Sequence, residues 1–333
     1  MKKYGIILAF ICLSVVLASG SCSLKKASGY PDRNIEWIVP YSPGGGADIY
    51  SRAVARTLSR HLPNKVRVLI RNMPGAGTRR GAGYLFRSKP DGYTIGIINP
   101  LGLIASDLVK KAEQYSLTDF TYLATCGRGL AGIYVRGDLG VETLDDLRDA
   151  GRVRFATSGR GSGSWLFGML AGDLFGLSVQ IVAGYEGTPA YISALLRKDV
   201  DAFAIGFESA VIPYIQEGEI KPVLMFLRKP WVLAPDAPTL KGTPYEELED
   251  LAPYRTIAAP PGLPDEVAAV LEKSLLSALE DPELLDWSDK TRHPIFVRDG
   301  RETKEDLETC MRLLEKYRDS IRSKLLENED LSP

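Results

Sequence analysis

Ile38-Val39-Pro40-Tyr41-Ser42-Pro43-Gly44-Gly45-Gly46-Ala47-Asp48 joins an apolar run to a segment of helical period. Residues 35–40 read as a strand and 49–62 as a helix, so the glycines fall in a strand-to-helix turn. Three glycines let the main chain approach a ligand closely and turn amides inward. The helix start leaves N–H groups unpaired and carries a partial positive charge. Such a place takes a carboxylate or phosphate without a dedicated side chain. Tyr41, Ser42, Gly44, Gly45, Gly46, Ala47 and Asp48 are therefore candidate ligand contacts. Asp48 would repel an adjacent anion, so its expected part is to shape the loop or to accept from a hydroxyl or water. No Gly-Lys-Ser/Thr follows and the G-x-G-x-x-G spacing is missing, so the loop is neither a nucleotide P-loop nor a dinucleotide fingerprint.

Two further loops have the same placement. Thr157-Ser158-Gly159-Arg160-Gly161-Ser162-Gly163-Ser164 follows a strand and precedes the helical pattern 165–175. Its hydroxyls and amides suit an anion, which makes Ser158, Gly159, Arg160 and Ser162 candidates. It lacks the G-x-S-x-G nucleophile pattern, because Arg160 and Ser164 flank Ser162. Gly184-Tyr185-Glu186-Gly187-Thr188-Pro189 is the third, with Tyr185, Glu186, Gly187 and Thr188 as candidates. Each loop alone is a weak signal. Ligands of open α/β sheets sit outside the carboxyl ends of the strands, so three such loops suggest one cleft lined from two sides.

Working outward, strand-like runs at 66–70 and 93–98 alternate with a helix at 80–87. Runs at 153–157, 179–183, 201–205 and 221–226 repeat the alternation, as expected of α/β units with largely parallel sheets. The C-terminal part is helical. Val267, Val270, Leu271, Ser274, Leu275, Ala278 and Leu279 share one face, and Asp281-Pro282 is a helix start. A last helix carries Leu307, Cys310, Met311, Leu314, Tyr317, Ile321 and Leu325. The proline-rich segment 229–244 reads as an extended connection.

The first residues have the layout of a secretory signal: Lys2 and Lys3, an uncharged apolar run over 5–17, then Ala18, Ser19, Gly20 and Ser21. The run is shorter than the roughly 20 residues a spanning helix needs. Cys22 follows the small residues and is a candidate lipidation site, although Ser19 stands where such signals carry Leu, Val or Ile. Residues 1–22 are thus read as a signal and 23–33 as a tether.

Net charge is −1, which gives no basic field for nucleic acid. Beyond Cys22 the mature part keeps Cys126 and Cys310. Nothing brings the two together, though an oxidising compartment would permit a bridge. The two histidines, His61 and His293, stand apart from the loops, and no Cys/His cluster has metal spacing. No metal or cofactor is expected.

The opening loop resembles the first motif of the substrate-binding receptors of tripartite tricarboxylate transporters, the Bug proteins. Asn72-Met73-Pro74-Gly75-Ala76-Gly77 resembles their second motif, usually written with Arg where Met73 stands. Pro90-Asp91-Gly92-Tyr93-Thr94, Gly184-Tyr185-Glu186-Gly187, Pro235-Asp236-Ala237-Pro238-Thr239, Ala259-Pro260-Pro261-Gly262 and Asp281-Pro282-Glu283 follow in order. The resemblance implies a two-lobed periplasmic-binding-protein-like α/β fold, each lobe a mostly parallel sheet flanked by helices. The chain would cross between lobes near 126–134 and 251–258. The first lobe would be 34–129 plus 251–333, the second 130–250. It implies a small carboxylate held by main-chain and hydroxyl donors, a two-subunit membrane permease as partner, an extracytoplasmic place and a monomer.

Several positions depart from the family pattern. Thr78, Arg79 and Arg80 replace a common Gly-Asn-Ile, Arg160 sits in the second loop, Gly206 and Phe207 stand where many members have Asp-Asn, and Tyr254-Arg255-Thr256 replaces a common Trp-Tyr-Gly. Losing that acid removes a partner for an amino group, and arginine binds carboxylates in bidentate fashion. The expected ligand is a di- or tricarboxylate, with Thr78, Arg79, Arg160 and Phe207 among its contacts. An exported α/β enzyme acting on a carboxylate, through Asp48 or Glu186, is a competing reading. A receptor that signals rather than transports is another.

Overall fold

The computed structural model describes residues 29–109, 115–185, 187–206, 208–232, 234–319 and 321. The expected signal and Cys22, and the candidates Glu186 and Phe207, lie outside the described residues. The strands are β1 (Ile35–Val39), β2 (Val68–Asn72), β3 (Thr94–Ile98), β4 (Thr121–Arg128), β5 (Leu130–Arg136), β6 (Arg152–Ala156), β7 (Ser178–Val182), β8 (Ala202–Gly206), β9 (Ile220–Met225), β10 (Tyr254–Ala259) and β11 (Arg298–Asp299). The α-helices are α1 (Gly46–His61), α2 (Arg79–Phe86), α3 (Pro100–Val109), α4 (Leu144–Asp149), α5 (Gly163–Phe175), α6 (Thr188–Leu196), α7 (Glu208–Gln216), α8 (Asp265–Leu279), α9 (Pro282–Thr291) and α10 (Gly300–Lys316).

Two sheets form, in the orders β11-β4-β10-β3-β1-β2 and β7-β6-β8-β5-β9. In the first, β1, β2, β3 and β4 point one way and β10 and β11 the other. In the second, β5 alone opposes its neighbours. The fold is thus two-lobed α/β with mostly parallel sheets. The long reversed strands have a common cause. The chain leaves the first sheet at the carboxyl end of β4 and enters β5 directly, so β5 must start where its neighbours finish. It returns through β10 in the same manner, and the two crossings are tied where the Gly129 amide donates to the Pro253 carbonyl at 3.0 Å. The carboxyl ends of the parallel strands in both sheets therefore meet at the crossings, where a cleft opens.

Alternation along the strands divides the core. Ile35, Trp37, Val39, Ile95, Ile97, Ile257 and Ala259 face α1 and α8. On the other side, Leu101, Leu103 and Ile104 of α3 and Leu307, Cys310 and Leu314 of α10 join one apolar cluster with Trp165, Leu166 and Met169 of α5. That cluster runs through both lobes. Helix ends follow local chemistry. Asp281 caps α9 ahead of Pro282, and Asp299 with Glu302 forms a capping box at α10. At the far end of α1, His61 Nε2 lies 2.8 Å from Asp281 Oδ2, about 20 Å along the helix from the glycine loop. Cys126 and Cys310 are free and buried on opposite sides of the first sheet. Their thiols donate to the Arg255 and Asp250 carbonyls instead.

Candidate functional site

The first wall of the cleft is the loop between β1 and α1. Gly44 turns with φ +82°, a conformation that favours glycine. Asp48, 3% exposed, holds the loop from beneath. Its Oδ2 accepts from the Gly44 amide and from Arg52 Nε, both at 2.9 Å, and its Oδ1 accepts from Asn72 Nδ2 at 2.9 Å. Asn72 Nδ2 also donates to the Tyr41 carbonyl. Burial pushes the Asp48 carboxyl up, but the hydrogen bonds from Arg52, Gly44 and Asn72 outweigh it and hold it below its ordinary value. Asp48 thus shapes the loop, as its charge suggested. Gly45 precedes the first turn of α1 without a side-chain cap, so the amides of Gly46 and Ala47 keep their donors.

Tyr41 leans into the cleft. Burial pushes its hydroxyl up to about 12, while the charge of Arg255 and the Asn99 side chain within hydrogen-bonding reach draw it down. Tyr191 of α6 is close enough to act on it from the opposite lobe. Nearby, the N-terminus of α3 meets that of α5: a Cβ built on Gly102 would lie 3.8 Å from the Gly163 amide. The two lobes are in contact across the cleft.

The second wall is built from the loops after β6 and β7. The Thr157 amide donates to Val182 O at 2.9 Å and the Tyr185 amide to Thr157 O at 3.1 Å, so one loop hangs from the other. Ser164 Oγ is the hub. It receives the Ser158 amide at 3.1 Å and the Tyr191 hydroxyl at 3.0 Å, and lies 3.0 Å from Ser162 Oγ. Ser162 also caps α5 by accepting from the Trp165 amide. Burial raises the pKa of the Tyr191 hydroxyl, partly offset by its hydrogen bonding with Ser164 and Ser158. Gly187 gives α6 no side-chain cap. Thr157 and Thr188 are buried, and their hydroxyls have no hydrogen-bond partner among the described residues.

The remaining candidates scatter. Ser42 and Tyr185 are half-buried beside their loops, and Ser158, Gly159 and Arg160 lie at the rim, with Ser158 and Arg160 exposed. Thr78 sits in the left-handed region (φ +75°) at the start of α2, its buried hydroxyl without a partner among the described residues. Arg79 acts on Tyr115, whose hydroxyl donates to Asp107 at 3.2 Å. Four further residues line the cleft that sequence alone does not single out: Asn99, Ser164, Tyr191 and Arg255. Asn99 and Tyr191 belong to no motif, and Ser164 reads only as the end of its loop. Arg255 stands out only as a departure from the family pattern. Among the described residues no group of His, Cys, Asp and Glu could hold a metal ion, and no helix is long and apolar enough to cross a membrane.

Residues 50–304 match the family described as Tripartite tricarboxylate transporter family receptor. Protein BugT of Bordetella pertussis is 27% identical over 279 residues, covering 81% of this chain and 84% of BugT. A UPF0065 protein of Agrobacterium vitis is 27% identical over 268 residues, 79% of this chain and 76% of that protein. Among solved structures, R. palustris Rpa4515 with adipate superposes with a TM-score of 0.75 at 25% identity, covering 88% of this chain and 98% of that one. With the family matched over most of its length, and with the two-lobed fold to go with it, the chain belongs to the receptor family of the tripartite tricarboxylate transporters.

Proposed function

We propose that the protein is an extracytoplasmic solute-binding receptor that captures a small di- or tricarboxylate between its lobes and delivers it to a two-subunit permease. The observation that carries this reading is the pairing of two uncapped helix N-termini, those of α1 and α6, on facing walls of one cleft. The start of α1 offers the amides of Gly46 and Ala47, and the start of α6 offers that of Thr188, since Pro189 has no N–H and the Ala190 amide donates to the Gly187 carbonyl. Both starts present a positive dipole end, the complement of a carboxylate. The hydroxyls of Tyr41, Thr157 and Thr188 add neutral donors. The adipate held by Rpa4515 supports the same ligand class. Tyr41, Ser42, the amides of Gly45 to Ala47, Ser158, Ser162, Gly187 and Thr188 are the proposed contacts, the Gly44 amide being taken by Asp48. Lobes of 34–129 plus 251–333 and of 130–250, hinged at the two crossings, would close on the ligand. A monomer carrying a cleaved signal and a lipid on Cys22 completes the proposal.

Thermal unfolding of ligand-stripped protein against mono-, di- and tricarboxylates and amino acids tests it. A bound ligand at about 100 times its dissociation constant adds about 2.7 kcal/mol. A selective rise with a di- or tricarboxylate is expected. A rise with an amino acid alone would overturn the ligand class, and no rise from any carboxylate would overturn the carboxylate receptor.

A further inference from the structure

Arg255 is the second residue of β10, the strand by which the chain re-enters the first lobe. Strand order sets its neighbours. Carrying the β3–β10 pairing one step past Thr256↔Ile98 puts Arg255 beside Asn99. Carrying the β1–β3 pairing on from Ile38↔Gly96 puts Tyr41 beside the same Asn99. On its other side Arg255 pairs with Gly127 of β4. Tyr41, Asn99, Arg255 and Gly127 therefore form one row across the cleft end of the sheet. Val39, Ile97 and Ile257, two residues away from the first three, all face α1, so those three side chains rise on that face as well.

Room for the guanidinium is left by the residue opposite. A Cβ on Gly127 would stand 3.0 Å from Arg255 Cδ and 3.3 Å from Nη1. The Arg255 Cζ lies 4.3 Å from the centre of the Tyr50 ring, and the residue is 5% exposed. A positive charge so enclosed acts strongly on its surroundings, because little water screens it. Tyr41 on the cleft side and Cys126 and His293 behind feel it; burial and then this charge oppose protonation of His293. Arg160 is exposed and Arg79 half-buried, so neither matches Arg255 as an enclosed charge.

We propose that Arg255 is a specificity-determining residue, a buried cation in the cleft row that selects ligands with a second carboxylate over monocarboxylates. This rests on the carboxylate-receptor reading above. One carboxylate meets the helix N-termini, and the other meets the guanidinium from the Tyr41 side, in the bidentate geometry that arginine favours.

The test is calorimetric titration of purified protein with adipate, succinate and citrate against hexanoate and butyrate, for the unaltered protein, Arg255→Gln, Arg255→Lys and Gly127→Ala. The unaltered protein should favour the ligands with more than one carboxylate. Arg255→Gln should lose about tenfold or more of that affinity, with monocarboxylate binding changed less than about twofold. Lysine should restore part of the loss. Gly127→Ala keeps the charge but displaces it, and should shift the same ratio even if Arg255→Gln fails to fold. Equal loss for both ligand classes, or no change in their ratio in folded variants, overturns the assignment. Equal affinity of the unaltered protein for both classes overturns it too. If the unaltered protein binds no carboxylate yet binds another solute, the receptor's ligand class fails first, and the role of Arg255 falls with it.

Discussion

On the first-lobe wall of the cleft, a buried carboxylate spends its oxygens on the loop itself: Asp48 accepts from Gly44, Arg52 and Asn72. On the second-lobe wall, no acid among the described residues plays that part. Hydroxyls converge on Ser164, and two buried threonine hydroxyls are left over. Both walls come from the same strand–loop–helix unit. The first is locked in shape before any ligand arrives and leaves main-chain amides for binding. The second is held by weaker, neutral bonds and keeps side-chain donors in reserve. Pre-formed geometry on one side and spare donors on the other suit a cleft that docks an anion on the rigid wall and then closes the other over it.

If the first wall is rigid because of Asp48, removing that carboxylate should cost the most. Asp48→Ala should lower the unfolding free energy by about 2 kcal/mol, since it removes the buried acceptor that ties the loop to Asn72 and Arg52, while the half-buried and exposed donors regain water. Urea unfolding measures it. The linkage has a definite sign. The folded pKa of Asp48 lies below its ordinary 3.8, so its contribution is complete above that value and drains as pH falls through the lower folded value. Asp48→Asn should flatten this part of the acid limb. An unchanged acid limb would mean that the loop is held by something else.

The contact between the lobes comes next. Gly102 faces the Gly163 amide across the cleft, and a leucine there would hold α3 and α5 apart. Gly102→Leu should weaken ligand binding by about tenfold, roughly 1.4 kcal/mol, and enlarge the radius of gyration of the ligand-bound form in solution scattering. Tyr191→Phe is smaller. It removes one buried hydrogen bond to Ser164 and should cost about 1 kcal/mol of stability, with affinity falling alongside because the second wall loosens.

Much of this fold is legible in the sequence, for reasons the structure makes plain. Loops that need glycine at a strand-to-helix turn, and strands that alternate with helices, announce themselves locally; the first strand and helix, read at 35–40 and 49–62, are observed as Ile35–Val39 and Gly46–His61. β4, β5 and β10 do not announce themselves as strands. They carry Thr125, Gly127, Arg128, Gly132, Arg255 and Thr256, residues placed by contacts far away in sequence, and only their place at the crossings is expected beforehand. The site divides likewise. Backbone donors can be read from glycines and helix starts. Tyr41, Asn99 and Arg255 form a row only once the order β10-β3-β1 is known, and nothing local in the sequence fixes that order.

The smallest expected effect separates the two walls most sharply. Thr188→Val keeps the shape of a buried side chain and removes a hydroxyl that has no partner among the described residues. Valine avoids the cost of burying an unsatisfied polar group, so the free protein should be as stable as before or up to about 1 kcal/mol more stable. Binding should move the other way, with affinity falling about fivefold as a donor to the carboxylate is lost. Opposite signs for stability and affinity are the mark of a group held ready for a ligand. If valine lowers both, Thr188 is a structural residue, and the second wall is held in its own shape as firmly as the first. Rigid docking would then have to come from both lobes, and closure would fall to the crossings alone.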